Sequence, residues 1–215
     1  MATRFQDRTD AGRLLAKQLS RYADRQDVVV LGMPRGGVPV AFQVAKSLRV
    51  PLDVFVVRKL GVPGREELAM GAIASGGIRV LNDSVIRATR ISKTIIDFVT
   101  ERERIELERR ELAYRGHRPA LMVRQKTVIL VDDGIATGST MFAAVTALQE
   151  QQPARIVVAA PVAPRESREE LEQAVDEFVV IVQPDPFYSV GHWYQMFGQT
   201  SDQEVQELLQ DPSTH

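Results

Sequence analysis

The sequence predicts an α/β fold, an open parallel sheet flanked by helices, and three observations carry this. Short apolar, largely β-branched runs recur at 27–32, 127–132, 155–160 and 178–182. Near-continuous runs of this kind mark strands buried on both faces. Helical patterns separate them, and strands alternating with helices give a parallel sheet. Two glycine-bearing loops, 33–37 and 133–140, directly follow predicted strands. That position is the carboxyl edge of such a sheet, where ligands bind.

Residues 10–22 read as an amphipathic helix, with Leu14, Leu15 and Leu19 on one face and Arg13, Lys17 and Arg21 off it. Residues 27–32 form the first buried strand and end at Gly32; the loop Met33-Pro-Arg-Gly-Gly37 and a helix from about Val38 to Leu48 follow. Residues 52–58 make the next strand. The stretch 61–82 holds Gly61, Gly64, Gly71, Gly76 and Gly77, and a loop with a hairpin fits it. Residues 83–115 lack glycine and proline and are dense in charge, so one long helix or two abutting helices fit. Pairs such as Arg102–Glu106, Arg104–Glu108 and Glu106–Arg110 are four apart, as on a solvated helical face. The strand at 127–132 leads through its turn into a helix at about 139–149. A strand at 155–160, a helix at 165–175 and a strand at 178–182 follow. The stretch 183–200 is irregular and aromatic, and a short helix from about Asp202 to Leu209 closes the chain.

The 215 residues carry a formal net charge of −1, which argues against a broad nucleic-acid surface, so no nucleic-acid partner is expected. Cysteine is absent, and His117, His192 and His215 lack metal-ligand spacing, which leaves no zinc site and no thiol chemistry. No apolar run reaches the roughly 18 residues of a membrane span, and residues 1–10 are polar without an apolar signal core. The expected location is cytoplasmic.

The chemistry concentrates in Val128-Ile-Leu-Val-Asp-Asp-Gly-Ile-Ala-Thr-Gly-Ser-Thr140. Four apolar residues anchor a strand, and two aspartates sit where it emerges. Gly134 and Gly138 let the backbone turn tightly. Thr137, Ser139 and Thr140 offer hydroxyls, and the following helix points its free N–H groups into the loop. That combination suits a phosphate monoester. No lysine stands in the turn, so it is not a Walker A loop, and its glycines are spaced wrongly for a dinucleotide fingerprint. The aspartates precede the phosphate cradle by a few residues, which suits the hydroxyls of a ribose 5-phosphate. The plainer alternative is a strand–turn–helix with Asp132 or Asp133 as a cap.

Val131-Asp-Asp-Gly-Ile-Ala-Thr-Gly-Ser-Thr140 resembles, without a gap, the signature of the type I phosphoribosyltransferases. The resemblance covers roughly residues 27–185. It implies that family's fold in a single domain over 1–215, with a core at about 27–185 and a small hood or flap from about 61–118 and 183–215. It implies Mg²⁺-dependent transfer of ribose 5-phosphate from 5-phosphoribosyl 1-diphosphate (PRPP) to a nitrogen acceptor. Asp132 and Asp133 would hold the ribose hydroxyls and position Mg²⁺ through water. Ala136, Thr137, Gly138, Ser139 and Thr140 would wrap the 5-phosphate. Arg35-Gly36-Gly37 is similar to the family's diphosphate loop, which often has an unusual backbone geometry, and Arg35 would add charge to the leaving group. Lys59 would reach the diphosphate or snorkel at a strand end. The catalytic set implied is Asp132, Asp133 and Arg35, and no covalent nucleophile is required. Arg115 and Arg118 stand in a candidate cover that would meet the diphosphate from above.

The acceptor is expected to be a small nitrogen heterocycle, a purine by preference. Gln183-Pro-Asp-Pro-Phe-Tyr-Ser-Val-Gly191 resembles the purine-stacking segment of the 6-oxopurine enzymes, with one extra residue before the glycine. Phe187 or Tyr188 would supply the platform, or both would pack a C-terminal flap. Ala136 stands where the 6-oxopurine enzymes usually carry an aspartate, and Ala159, Ala160 and Pro161 stand where they place a lysine. Those departures favour adenine-like bases or an unusual acceptor. Two alternatives stay open: a PRPP-sensing regulator without turnover, and phosphorolysis or hydrolysis on the same fold. The partners expected are PRPP, the acceptor and a second copy of the chain in a homodimer, with no membrane.

Overall fold

A computed structural model describes residues 4–214; Met1–Thr3 and His215, the ends of the expected single domain, lie outside the described residues. Five parallel strands form the main sheet: β1 (Val28–Gly32), β2 (Leu52–Val54), β6 (Thr127–Val131), β7 (Arg155–Val162) and β8 (Glu177–Val182), in the order β2-β1-β6-β7-β8. Val30 pairs with Ile129 and Gly32 with Val131, so β1 and β6 end level. Every residue of β1 and β6 is buried.

Alternate residues of each strand feed two cores. Val28, Val30, Ile129, Val131 and Val157 pack beneath α1 (Arg8–Gln18) and α2 (Gly37–Leu48), against Leu15, Val44 and Leu48. Val29, Leu31, Val128, Leu130 and Val158 pack under α5 (Ser139–Glu150), against Met141, Val145 and Leu148, with Leu171 of α6 (Arg165–Glu172) beside them. Each fully buried Val or Leu is worth roughly 1.5–3 kcal/mol relative to exposure. These paired faces explain the unbroken apolar runs in the sequence.

The region between β2 and β6 departs from the sequence reading. The strand expected at 52–58 is split. Phe55 N–H still donates to Gly32 O at 3.0 Å, but Ser75 takes both backbone groups of Val56. The chain therefore leaves the main sheet and starts a second, antiparallel one: β3 (Val57–Val62), β4 (Arg65–Ala74) and β5 (Ile78–Leu81), in that order. Gly61 and Gly71 lie inside these strands, and only Gly64, Gly76 and Gly77 make turns. The charge-dense stretch forms two helices, α3 (Asp83–Thr89) and α4 (Lys93–Arg115), separated where Ser92 caps α4.

Arg115, the last residue of α4, ties this unit to the edge of the main sheet. It pairs with Asp53 at 2.8 Å and donates to Val54 O at 2.6 Å, while Leu121 N–H donates to the other Asp53 oxygen at 2.9 Å. Asp53 is 2 % exposed and the Arg115 side chain 6 %. Arg118 donates to Leu209 O of α7 (Asp202–Gln210). These two arginines thus hold structure together, and the expectation that Arg115 meets a ligand from above is corrected by its burial.

Candidate functional site

Strand order reverses between β1 and β6: the chain runs from β1 to β2 on one side, and from β6 through β7 to β8 on the other. The two predicted loops leave the carboxyl ends of these neighbouring strands and meet in that crevice, the place such sheets bind ligands. The contact is close. Met33 N–H donates to Val131 O at 2.8 Å. A Cβ on Gly37 would lie 2.7 Å from Val131 O and 2.8 Å from Asp132 Cα, and one on Gly36 would lie 2.1 Å from Asp133 Oδ2. At Gly37 the neighbouring backbone leaves room only for glycine, and at Gly36 the Asp133 carboxylate takes the space a Cβ would need. The peptide joining Pro34 to Arg35 is cis.

Asp132 and Asp133 stand side by side at the end of β6, and Asp133 N–H donates to Asp132 Oδ1 at 2.8 Å. Burial and the neighbouring Asp133 carboxylate push the Asp132 carboxyl well above the usual aspartate range. Burial raises Asp133 too, against the opposing Arg8 guanidinium. Arg8 Nε lies 2.8 Å from Asp133 Oδ2, with both side chains largely enclosed. A pair of carboxylates pressed together in a half-buried crevice is arranged for hydroxyls or a cation.

The turn behind the aspartates opens outward. Gly138 takes φ +75°, a left-handed conformation, and starts α5. Ala136, Thr137, Ser139 and Thr140 are exposed. The Lys59 ammonium of β3 donates to Ser139 Oγ at 2.7 Å, and Thr137 Oγ1 lies 3.2 Å from the same hydroxyl. A groove of about 570 Å³ runs here between the antiparallel sheet and the start of α5, lined by Lys59, Thr137, Ser139 and Phe142 among others. Ser167 of α6 donates to Ala136 O and pins the turn from behind.

A second cleft, of about 380 Å³, opens on the other side of the aspartates. Arg8, Arg35, Gly36 and Asp133 line one wall, and Phe197 and Thr200 face them. The C-terminal stretch forms that wall. Tyr194 Oη donates to Asp133 O at 2.5 Å, Arg8 donates to Gly198 O at 2.6 Å, and the Arg8 guanidinium lies 4.0 Å over the Phe197 ring. Tyr194 and Phe197 stack at 4.9 Å. Arg35 reaches Asp202 at 3.7 Å with both side chains well exposed.

The structure therefore brings Asp132, Asp133, Arg35, Gly36 and Gly37 into one crevice, and gathers Thr137, Gly138, Ser139 and Lys59 beside it. Phe187 packs against the small cluster of Phe5, Ala11, Val162 and Tyr194, and Tyr188 is 72 % exposed beside the His192 ring. Neither lines either opening. Arg8, Tyr194 and Phe197 went unmarked in the sequence. Arg8 carries no local signal, because its partners lie about 125 and 190 positions away. Phe197 had one, the aromatic and irregular character of 183–200.

A family model described as "Phosphoribosyl transferase domain" matches residues 3–190. Two proteins from strains of Mycobacterium tuberculosis, provisionally named phosphoribosyl transferases, are each 47% identical over 205 residues. That is 95% of this chain, and the chain spans about half the length of these curated relatives, 46%. The crystal structure of TT1426 from Thermus thermophilus is 41% identical, with a TM-score of 0.87, covering 96% of this chain and 98% of that one.

Proposed function

This chain belongs to the phosphoribosyl transferase family, and from that premise we propose that it moves ribose 5-phosphate from PRPP to a nitrogen acceptor. The observation that carries the proposal is the meeting of the 33–37 and 132–140 loops in the crevice between β1 and β6. In this reading Asp132 and Asp133 accept hydrogen bonds from the ribose hydroxyls. Ala136 to Thr140 enclose the 5-phosphate with backbone N–H groups and hydroxyls, at the start of α5 where the helix dipole favours an anion. Lys59, already on Ser139, adds its charge to that cradle rather than to the diphosphate. Arg35 and the backbone of Gly36 and Gly37 face the diphosphate.

The carbon–oxygen bond to diphosphate breaks with its electron pair leaving on oxygen, and the acceptor nitrogen forms the new bond to that carbon and releases its proton to water or to the departing diphosphate. The chain's work is to align both substrates, hold the leaving group and exclude water. The two hard carboxylates fit Mg²⁺, which binds through one or two carboxylates with retained waters and substrate oxygens. No group of three or more His, Cys, Asp or Glu that could cage a metal occurs among the described residues. Shared binding with PRPP is the mode that fits. When bound, Mg²⁺ would offset charge on the diphosphate.

The acceptor, a planar heterocycle with adenine-like bases preferred, enters the cleft walled by Phe197. The edge of the Phe197 ring and the Arg8 guanidinium stacked on it line this cleft next to Asp133, whereas Phe187 and Tyr188 line neither opening.

Mg²⁺ with PRPP at about 100 times its dissociation constant should stabilise the fold by about 2.7 kcal/mol. That is roughly 5 °C for a chain of this size. No thermal shift and no calorimetric heat would sink the proposal. Turnover is then read from diphosphate release across an acceptor screen; binding without turnover against any base would favour the sensor reading. Phe197→Ala should raise the acceptor's apparent constant at least 5-fold, and equal effects from Phe187→Ala or Tyr188→Ala would move the acceptor to the 187–188 pair.

A further inference from the structure

One helix carries an apolar stripe that the fold leaves uncovered. α4 buries Ile96, Val99, Leu107 and Tyr114 against β3, β4 and α7. On its outer face Phe98 is 70% exposed, Ile105 58% and Leu112 55%. These three stand seven residues apart, and Ile95, 39% exposed, flanks the start of the line about 60° round the helix from Phe98. Seven-residue spacing drifts only about 20° per step on a straight helix, so the stripe forms a nearly straight seam. The helix has 23 residues, a length of about 35 Å. Large apolar residues repeated along a polar helix mark a surface that meets another surface.

The charges beside the seam say what meets it. Glu101 and Glu108 lie about 40–60° to one side of Ile105, and Arg102 and Arg109 lie about as far to the other. Arg104 bridges Glu101 and Glu108 but leaves their edge net acidic. Glu106 meets Arg109 and Arg110, and Glu103 meets Arg102 while also holding Arg58, so the opposite edge stays net basic.

We propose that α4 pairs with α4 of a second copy of this chain, the two helices running parallel about a two-fold axis along the seam. A two-fold along the helices sets the acidic edge of each copy against the basic edge of the other. Glu101 and Glu108 then face Arg102 and Arg109 of the second copy. An antiparallel pair would instead put Arg102 beside Arg109 and Glu101 beside Glu108. In the parallel arrangement Phe98, Ile105 and Leu112 each meet themselves, as in a coiled-coil seam. Such rim charges choose orientation more than they add affinity. One helix per partner gives an interface toward the small end of the usual range, so the dimer should dissociate on dilution.

The chain holds no cysteine, so an introduced one is its only thiol. The 215-residue protein should sediment with a mass rising with concentration from 24.0 kDa toward twice that value. Ile105→Glu, at an exposed position, should abolish the rise and leave the melting temperature of the dilute, monomeric protein unchanged. Phe98→Cys should form a disulfide-linked dimer under mild oxidation, since parallel seam positions come within disulfide reach. A single-chain mass up to millimolar concentration would overturn the proposal and hand the stripe to another partner. So would cross-linking that appears only when Phe98→Cys is mixed with Leu112→Cys, the antiparallel result, or a dimer that Ile105→Glu leaves intact.

Discussion

Replacing Arg8 by methionine tests how the crevice holds two carboxylates together. The side chain keeps most of its apolar length, but Asp133 loses its only charged partner within ion-pair distance among the described residues, and Gly198 O and the Phe197 ring lose the guanidinium. Breaking one side of a buried ion pair costs about 3–5 kcal/mol. The Arg8 and Asp133 side chains are 13% and 14% exposed, so water recovers part of this and roughly 2–4 kcal/mol remains. At about 2 °C per kcal/mol, the melting temperature should fall by roughly 4–8 °C at pH 8 in EDTA. The effect must depend on pH. Asp132 and Asp133 both sit above the ordinary aspartate range, so in that window the folded chain binds more protons than the unfolded chain. Stability therefore falls as pH rises through the raised values. Arg8 opposes that rise, and its removal lifts Asp133 further. The deficit of the variant should be larger at pH 8 than at pH 5, because protons taken up as the pH falls toward the raised values remove the carboxylate charge that Arg8 offsets. Calorimetric scans of both proteins at the two pH values measure it. An equal deficit at both pH values would refute the electrostatic account and leave only lost packing on Phe197.

Arg35→Ala should weaken PRPP about tenfold or more while ribose 5-phosphate binding changes little, measured by calorimetry. The melting temperature should barely move, because its contact to Asp202 is exposed and 3.7 Å long. Gly37→Ala drives a Cβ into the Val131 carbonyl and the Asp132 backbone, a strain of about 1–3 kcal/mol visible in urea unfolding, with PRPP affinity lost alongside. Arg115→Met leaves Asp53 buried without its cation, and should cost about 3–5 kcal/mol, close to 6–10 °C in melting temperature. PRPP affinity per folded molecule should hold, and a selective loss of affinity would return Arg115 to the ligand.

The sequence by itself determined the main sheet. Unbroken apolar runs such as Val128–Val131 are required of strands covered on both faces, and the strand-end pair Asp132-Asp133 with Gly138 marked a tight strand-to-helix turn, because local backbone geometry resides in adjacent residues. Gly36 and Gly37 were legible as a loop, but their reasons, the Asp133 carboxylate beside Gly36 and the backbone of Val131 and Asp132 beside Gly37, each within 3 Å, belong to neighbours about a hundred positions along. The second sheet was not legible. Whether 52–58 stays one strand depends on Ser75, which captures Val56 from outside the local window. Arg8, Tyr194 and Phe197 were equally hidden, for the crevice draws its walls from both ends of the chain. Charge partners, raised carboxyl groups and cleft walls arise from distances between remote segments, and only the tertiary structure fixes those.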